Sequence, residues 1–197
     1  MRVIGVTGGT GSGKTTLLRF LEERGAAVLD CDRVYDRLLE RDAALQSALR
    51  RDFPTAFSEA GALDRRALAA LVFSDPAQLR RLNASVYYHM GLEVRRLLVE
   101  AKRQGKQLAV IDAINLTDSG LSELCDVTVG VLAKEETRLR RITERDGIDE
   151  ETALRRIRAQ WPEEYFRKHC KIVLENDGTE AQFRAAAETA LEEYLER

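Results

Sequence analysis

Residues 8–15 read Gly-Gly-Thr-Gly-Ser-Gly-Lys-Thr, with an apolar run at residues 3–6 before them and Leu17, Leu18 and Leu21 after. No other stretch constrains the fold as tightly. Glycines at this density let a backbone bend so that successive N–H groups face one point. A helix beginning at the end of the bend adds its positive pole. The spacing fits G-x-x-x-x-G-K-[ST], where loop amides cradle a phosphate chain, a lysine reaches the outer phosphates and a hydroxyl meets Mg²⁺. The cradle is assigned to Gly9, Thr10, Gly11, Ser12, Gly13, Lys14, Thr15 and Thr16. Within it Lys14 is expected to reach the β- and γ-phosphates of a nucleotide, and the Thr15 hydroxyl to bind Mg²⁺.

Such a loop needs a strand before it and a helix after it, and the rest of the chain continues that alternation. Strands are expected at residues 3–6, 26–29, 108–111, 127–132 and 171–174. Helices are expected at residues 14–23, 34–49, 65–73, 76–104, 135–145, 150–158 and 181–195, with a loop over 53–61. Asp75-Pro76 supplies an N-cap and a first-turn proline, and Gly105 a stop. Strands alternating with helices imply an α/β fold, a five-stranded parallel sheet covered by helices on both faces. The expected core is about residues 1–33, 106–133 and 170–197. A helical insertion over about 34–105 is the natural place for an acceptor, and about 134–169 for a lid.

The 197 residues suit one domain with inserted parts. A net charge of −2 argues against a general nucleic-acid or membrane-surface binder. Three cysteines, Cys31, Cys125 and Cys170, in no CxxC pair, suggest neither a disulfide framework nor a zinc site and fit a reducing cytoplasm. No secretory leader or membrane span is expected. His89 and His169 fall in no ligand cluster, and the oligomeric state is left open.

Asp30 and Asp32 stand where the second strand gives way to a helix. In open parallel sheets the ligand crevice lies beyond the carboxyl ends of the strands. One of these acids is placed to accept a hydroxyl proton from a phosphoryl acceptor, or one merely caps the next helix; spacing leaves both open. Asp112 ends the third strand and can hold Mg²⁺ through water, or act as a turn acid. Among the crowded arginines of residues 134–158, Arg138, Arg141 and Arg145 are candidates to meet a transferring phosphoryl group. Glu136–Arg140 and Glu151–Arg155 have the spacing of solvated ion pairs. The guanine-reading Asn-Lys-x-Asp and the switch Asp-x-x-Gly are absent, which argues against a GTPase. A kinase for a small acceptor such as a nucleoside or nucleotide, and a nucleotide-binding regulator without transfer, remain as other readings.

Several stretches together resemble the dephospho-coenzyme A kinase family. They are TGGTGSGKTT (residues 7–16), LDCDRVYDRLL (29–39), GALDRRALAALVFSDPAQLRRLNA (61–84), CDVTVGVLAKEETRLRRITERDG (125–147), Gln160 and ENDG (175–178). The resemblance implies a P-loop kinase core, a helical domain for the coenzyme A precursor, and a lid. It implies transfer of the γ-phosphate of ATP to the ribose 3′-hydroxyl of dephospho-coenzyme A. It also places the general base on Asp32, lid arginines on Arg141 and Arg145, and the adenine of ATP near Asn176. Two places depart from the family: Tyr87-Tyr88 stands where His-Pro is usual, and the turn over 112–118 carries Asn115 and Thr117 at apolar positions. Buried amide and hydroxyl groups there need partners, expected from backbone and water.

Overall fold

A computed structural model describes residues 1–195. Five parallel strands run in the order β2-β3-β1-β4-β5. They are β1 (Arg2–Thr7), β2 (Ala27–Asp30), β3 (Leu108–Asp112), β4 (Val127–Leu132) and β5 (Ile172–Glu175). The helices are α1 (Lys14–Glu23), α2 (Cys31–Arg41), α3 (Ala43–Asp52), α4 (Arg65–Ser74), α5 (Pro76–Arg103), α6 (Glu135–Asp146), α7 (Glu150–Arg158), α8 (Glu163–His169) and α9 (Glu180–Leu195). The expected core segment 170–197 is described as far as residue 195; Glu196 and Arg197 lie outside the described residues.

Two compact units divide the chain: residues 1–30 with 98–195, and Cys31–Leu97. The first holds the sheet. Its central strand β1 is buried from Val3 to Thr7, as expected of a parallel strand covered on both faces. Ile4, Val6, Val129 and Val131 pack with Leu17 and Leu21 of α1 and with Phe183, Ala187 and Leu191 of α9. On the other face the chain approaches so closely that β1 needs a glycine. A Cβ at Gly5 would lie 2.7 Å from both Cys125 Sγ and Leu116 Cδ2. Helices α6 and α7 share a small apolar centre of Ile142, Ala153 and Ile157.

The second unit is helical. Asp64 caps α4 by accepting from the Arg66 and Ala67 amides, and Asp75 accepts from Ala77 at the start of α5. The single helix expected over 34–49 is two helices. Asp42 lies between them with extended φ and ψ, and its carboxylate accepts from the Leu45 amide at 2.9 Å. An N-cap of this kind is worth about 1 kcal/mol and wins over an unbroken apolar pattern. His89 Nδ1 holds the other oxygen of Asp42 at 3.1 Å. The loop expected over 53–61 contains a 3-10 turn at Pro54–Ala56, and Phe57 bridges to Leu63. Helix α5 ends as its caps require, with Gly105 at φ 80° and the Lys106 amide donating to Ala101 O.

Candidate active site

The sheet register lines up one row at its carboxyl edge. Asp30 pairs with Asp112, and Asp112 with Val6, the residue before Thr7 and the glycine loop. Two of the sequence-nominated acids and the root of the loop therefore share one edge of three adjacent strands. Asp32 follows in the first turn of α2, exposed. Thr7 is buried and donates through Oγ1 to Ile114 O at 3.0 Å, tying β1 to the turn after β3.

The loop itself shows what its glycines are for. Gly11 and Gly13 have φ of 79° and 95°, in the left-handed region that side chains avoid. A Cβ at Gly13 would collide with Asn176 Nδ2, and one at Gly11 would lie 2.9 Å from the Arg138 carbonyl. Bent in this way, the loop turns the Thr10, Gly11 and Ser12 carbonyls outward, where side chains hold all three. Arg138 Nε donates to Thr10 O at 2.9 Å. Arg141 Nη1 donates to Gly11 O and Ser12 O at 3.3 Å each. Asn176 Nδ2 donates to Ser12 O at 2.9 Å. Among the described residues no protein group accepts from the Gly11 and Gly13 amides. Helix α1 begins without a side-chain cap and without an acidic residue in its first turn. Its uncapped amides and positive pole are what a phosphate requires. Lys14 lies across the loop, its Nζ 2.6 Å from Gly8 O.

The arginines of α6 separate into two kinds. Arg138 and Arg141 reach the loop; Arg145 turns aside to the carboxylate of Asp146, which also receives Arg156. Arg138 is half-buried, and burial lowers its pKa from the ordinary value. Its Nη2 donates to Gln160 Oε1 at 2.8 Å. The Glu151–Arg155 pairing expected from spacing gives way to a bond from Arg155 Nη2 to Thr152 Oγ1, because Thr152 is fixed one turn away by Asp149.

A cavity of about 300 Å³ opens beside the loop, lined by Gly9, Ser12, Arg138, Gln160, Trp161 and Phe166. Ser12 Oγ is buried and has no hydrogen-bond partner among the described residues. A polar atom left in that state calls for a polar visitor.

Across the edge, the turn after β3 is built differently. Asn115 is exposed, so its amide is free to meet water and needs no buried partner. Thr117 is only partly buried. Leu116 is the buried residue of the turn. Asp118 accepts from Trp161 Nε1 at 3.0 Å and from the Tyr165 hydroxyl at 2.6 Å. Tyr165 stacks on Trp161 with ring centroids 4.5 Å apart. Burial, then the hydrogen bond to Asp118, pushes the Tyr165 phenol above its ordinary value.

Helix α8, and the aromatic pair that its Tyr165 forms with Trp161 just before it, go beyond the sequence reading. Their only sequence signal was Trp161-Pro162, which reads equally as a helix break. Gln160 was visible only as part of the family-like pattern.

A parallel sheet in this order, a glycine loop between β1 and α1, and arginine-bearing helices after β4 define a P-loop kinase fold. A shikimate kinase from Acinetobacter baumannii shares the architecture, with a TM-score of 0.54 at 18% identity over 99% of this chain and 93% of its own. The model of the dephospho-CoA kinase family matches residues 2–182. The dephospho-CoA kinase of Thermus thermophilus is 41% identical over 192 residues, covering 97% of this chain and 91% of its own. A crystal structure of a Thermus thermophilus protein superposes with a TM-score of 0.79 at 39% identity, covering 98% and 97% of the two chains. The chain belongs to the dephospho-CoA kinase family.

Proposed function

We propose that the chain transfers the γ-phosphoryl group of ATP to the ribose 3′-hydroxyl of dephospho-coenzyme A, releasing ADP and coenzyme A. The observation that carries this reading is the loop with its carbonyls held outward and its amides left for a phosphate chain. In a phosphoryl transfer the protein positions reactants and stabilises charge. Lys14 has the reach and charge for the outer phosphates. Asp32 takes the proton of the acceptor hydroxyl, as the family resemblance implies. Arg141 and Arg145 answer the charge of the transferring group, which requires Arg145 to leave Asp146. Asn176 holds the loop where the adenine of ATP is expected.

The residues present also fit Mg²⁺, a hard cation bound largely through phosphates and water with one or two protein oxygens. The exposed Thr15 hydroxyl and the half-buried Asp112 carboxylate are oxygen donors of that kind. Bound there, Mg²⁺ supplies neutralising charge to the phosphates. Among the described residues no helix is long and apolar enough to cross a membrane. With Cys31, Cys125 and Cys170 all free thiols, we assign the reaction to the cytoplasm.

An acceptor panel with ATP and Mg²⁺ tests the reading. The kcat/KM for dephospho-coenzyme A should exceed that for adenosine, AMP and other nucleosides. A nucleoside phosphorylated more efficiently would replace the acceptor while leaving the kinase. No ADP release with any acceptor would support a nucleotide-binding regulator instead.

A further inference from the structure

Gln160 lies 150 residues from Thr10 of the glycine loop in sequence, between the end of α7 and Trp161-Pro162, yet it makes two bonds there and a third to Arg138. Its Oε1 accepts from the Thr10 amide at 2.8 Å and from Arg138 Nη2 at 2.8 Å. Its Nε2 donates to Thr10 Oγ1 at 2.8 Å. Arg138 closes the circuit by donating from Nε to Thr10 O. The amide, carbonyl and hydroxyl of Thr10 are thus all engaged by two side chains from outside the loop.

This arrangement has a geometric consequence. The Thr10 carbonyl shares its peptide plane with the Gly11 N–H, so holding that carbonyl outward turns the Gly11 amide the opposite way, while the Thr10 N–H belongs to the preceding plane, which Gln160 fixes. With the Thr10 amide turned away to Gln160, the Gly11 amide is the next that can face a phosphate. Arg138 has a second constraint. It is half-buried, and among the described residues its hydrogen bonds go to neutral oxygens, Thr10 O and Gln160 Oε1, rather than to a carboxylate. Its guanidinium lies directly against Gly9, where a Cβ would strike Nη2 and come within 2.9 Å of Gln160 Oε1. Gly9 is therefore required not for its own dihedral angles but for the room this pair occupies.

We infer that Gln160 is a positioning residue that, through Thr10 and Arg138, fixes which amides of the loop face the nucleotide and couples the α6–α8 segment to ATP binding. This rests on the ATP-dependent kinase reading. It assigns Arg138 to the loop's outer face, a role different from that of an arginine meeting the transferring group.

The test is ATP binding with Mg²⁺ in the absence of acceptor. It is read from the emission of Trp161, the sole tryptophan and the neighbour of Gln160, and by calorimetry. Gln160→Ala should weaken ATP binding on the order of ten- to a hundredfold, as misplaced positioning groups do. In turnover it should raise KM for ATP and leave KM for dephospho-coenzyme A unchanged. Arg138→Met should weaken ATP similarly. The double variant should be no worse than the poorer single one, because the two side chains act in one circuit. Thr10→Val keeps the shape, deletes only the hydroxyl contact and guards against misfolding of the others; it should weaken ATP several-fold. The inference is overturned if folded Gln160→Ala binds ATP as the wild type does, if the Gln160 and Arg138 effects add, or if KM for both substrates rises equally. Absence of ATP binding by the wild type would instead remove the kinase reading and this inference with it.

Discussion

Two turns leave neighbouring strands at the same edge of the sheet, and they are made of different material. The loop after β1 is backbone. Its glycines carry the bend, three successive carbonyls from Thr10 to Ser12 are held from outside, and its amides are offered as the binding surface. The turn after β3 is side chain. Leu116 packs under β1 against Gly5 and Cys125, and Asp118 is fastened to Trp161 and Tyr165. A phosphate chain looks the same on every nucleotide, so amides suffice for it. An acceptor must be told from others, and that takes side chains.

Substitutions in the two turns should therefore differ in kind. The largest effect is expected at Lys14→Ala in correctly folded protein, which removes a preorganised charge worth about 3–4 kcal/mol. Steady-state transfer should fall on the order of a hundredfold or more. Next, Arg141→Ala should lower kcat/KM about tenfold or more, through its bonds to Gly11 O and Ser12 O and the charge it offers the transition state. Arg155→Ala, whose partner is Thr152, should be close to silent; equal losses at both positions would make α6 and α7 one solvated face.

Behind the other turn the effect should fall on stability. Gly5→Ala places a Cβ 2.7 Å from Leu116 and Cys125 and should cost about 1–3 kcal/mol by denaturant unfolding. Its surviving folded fraction should keep normal ATP binding.

The smallest effect concerns pH. Burial, and then the bond to Asp118, raises the Tyr165 phenol above the ordinary tyrosine value. A group raised on folding contributes stability that is fully present below the unfolded value, about 10, and is lost as pH climbs beyond it. Chemical denaturation from pH 8 upward should show that alkaline loss, and Asp118→Ala should shrink it. Over the same range Cys125 should resist alkylation, because burial, reinforced by Asp126, pushes its thiol up to about 12.

What could be read in the sequence follows the same division. The loop was legible because backbone chemistry is local: glycines, lysine and threonine stand within eight residues. Helix α5 was legible because Asp75, Pro76 and Gly105 mark its own ends. The break at Asp42 was not, since an apolar pattern ran through it and only the cap geometry reveals the stop. Family position places Asn115 at an apolar, buried site, whereas the structure exposes it. Gln160 and Thr10, or Asp118 and Tyr165, meet only after the sheet has brought distant segments to one edge. Their spacing along the chain carries no period that points from one to the other.

The most direct measurement is the product itself. ATP, Mg²⁺ and dephospho-coenzyme A should be incubated with the wild-type chain and the product examined by ³¹P NMR and mass spectrometry. The account predicts one new phosphomonoester, at the ribose 3′ position, formed in step with ADP and nearly absent with Lys14→Ala. A phosphate at any other position, or ADP formed without a phosphorylated product, would contradict it.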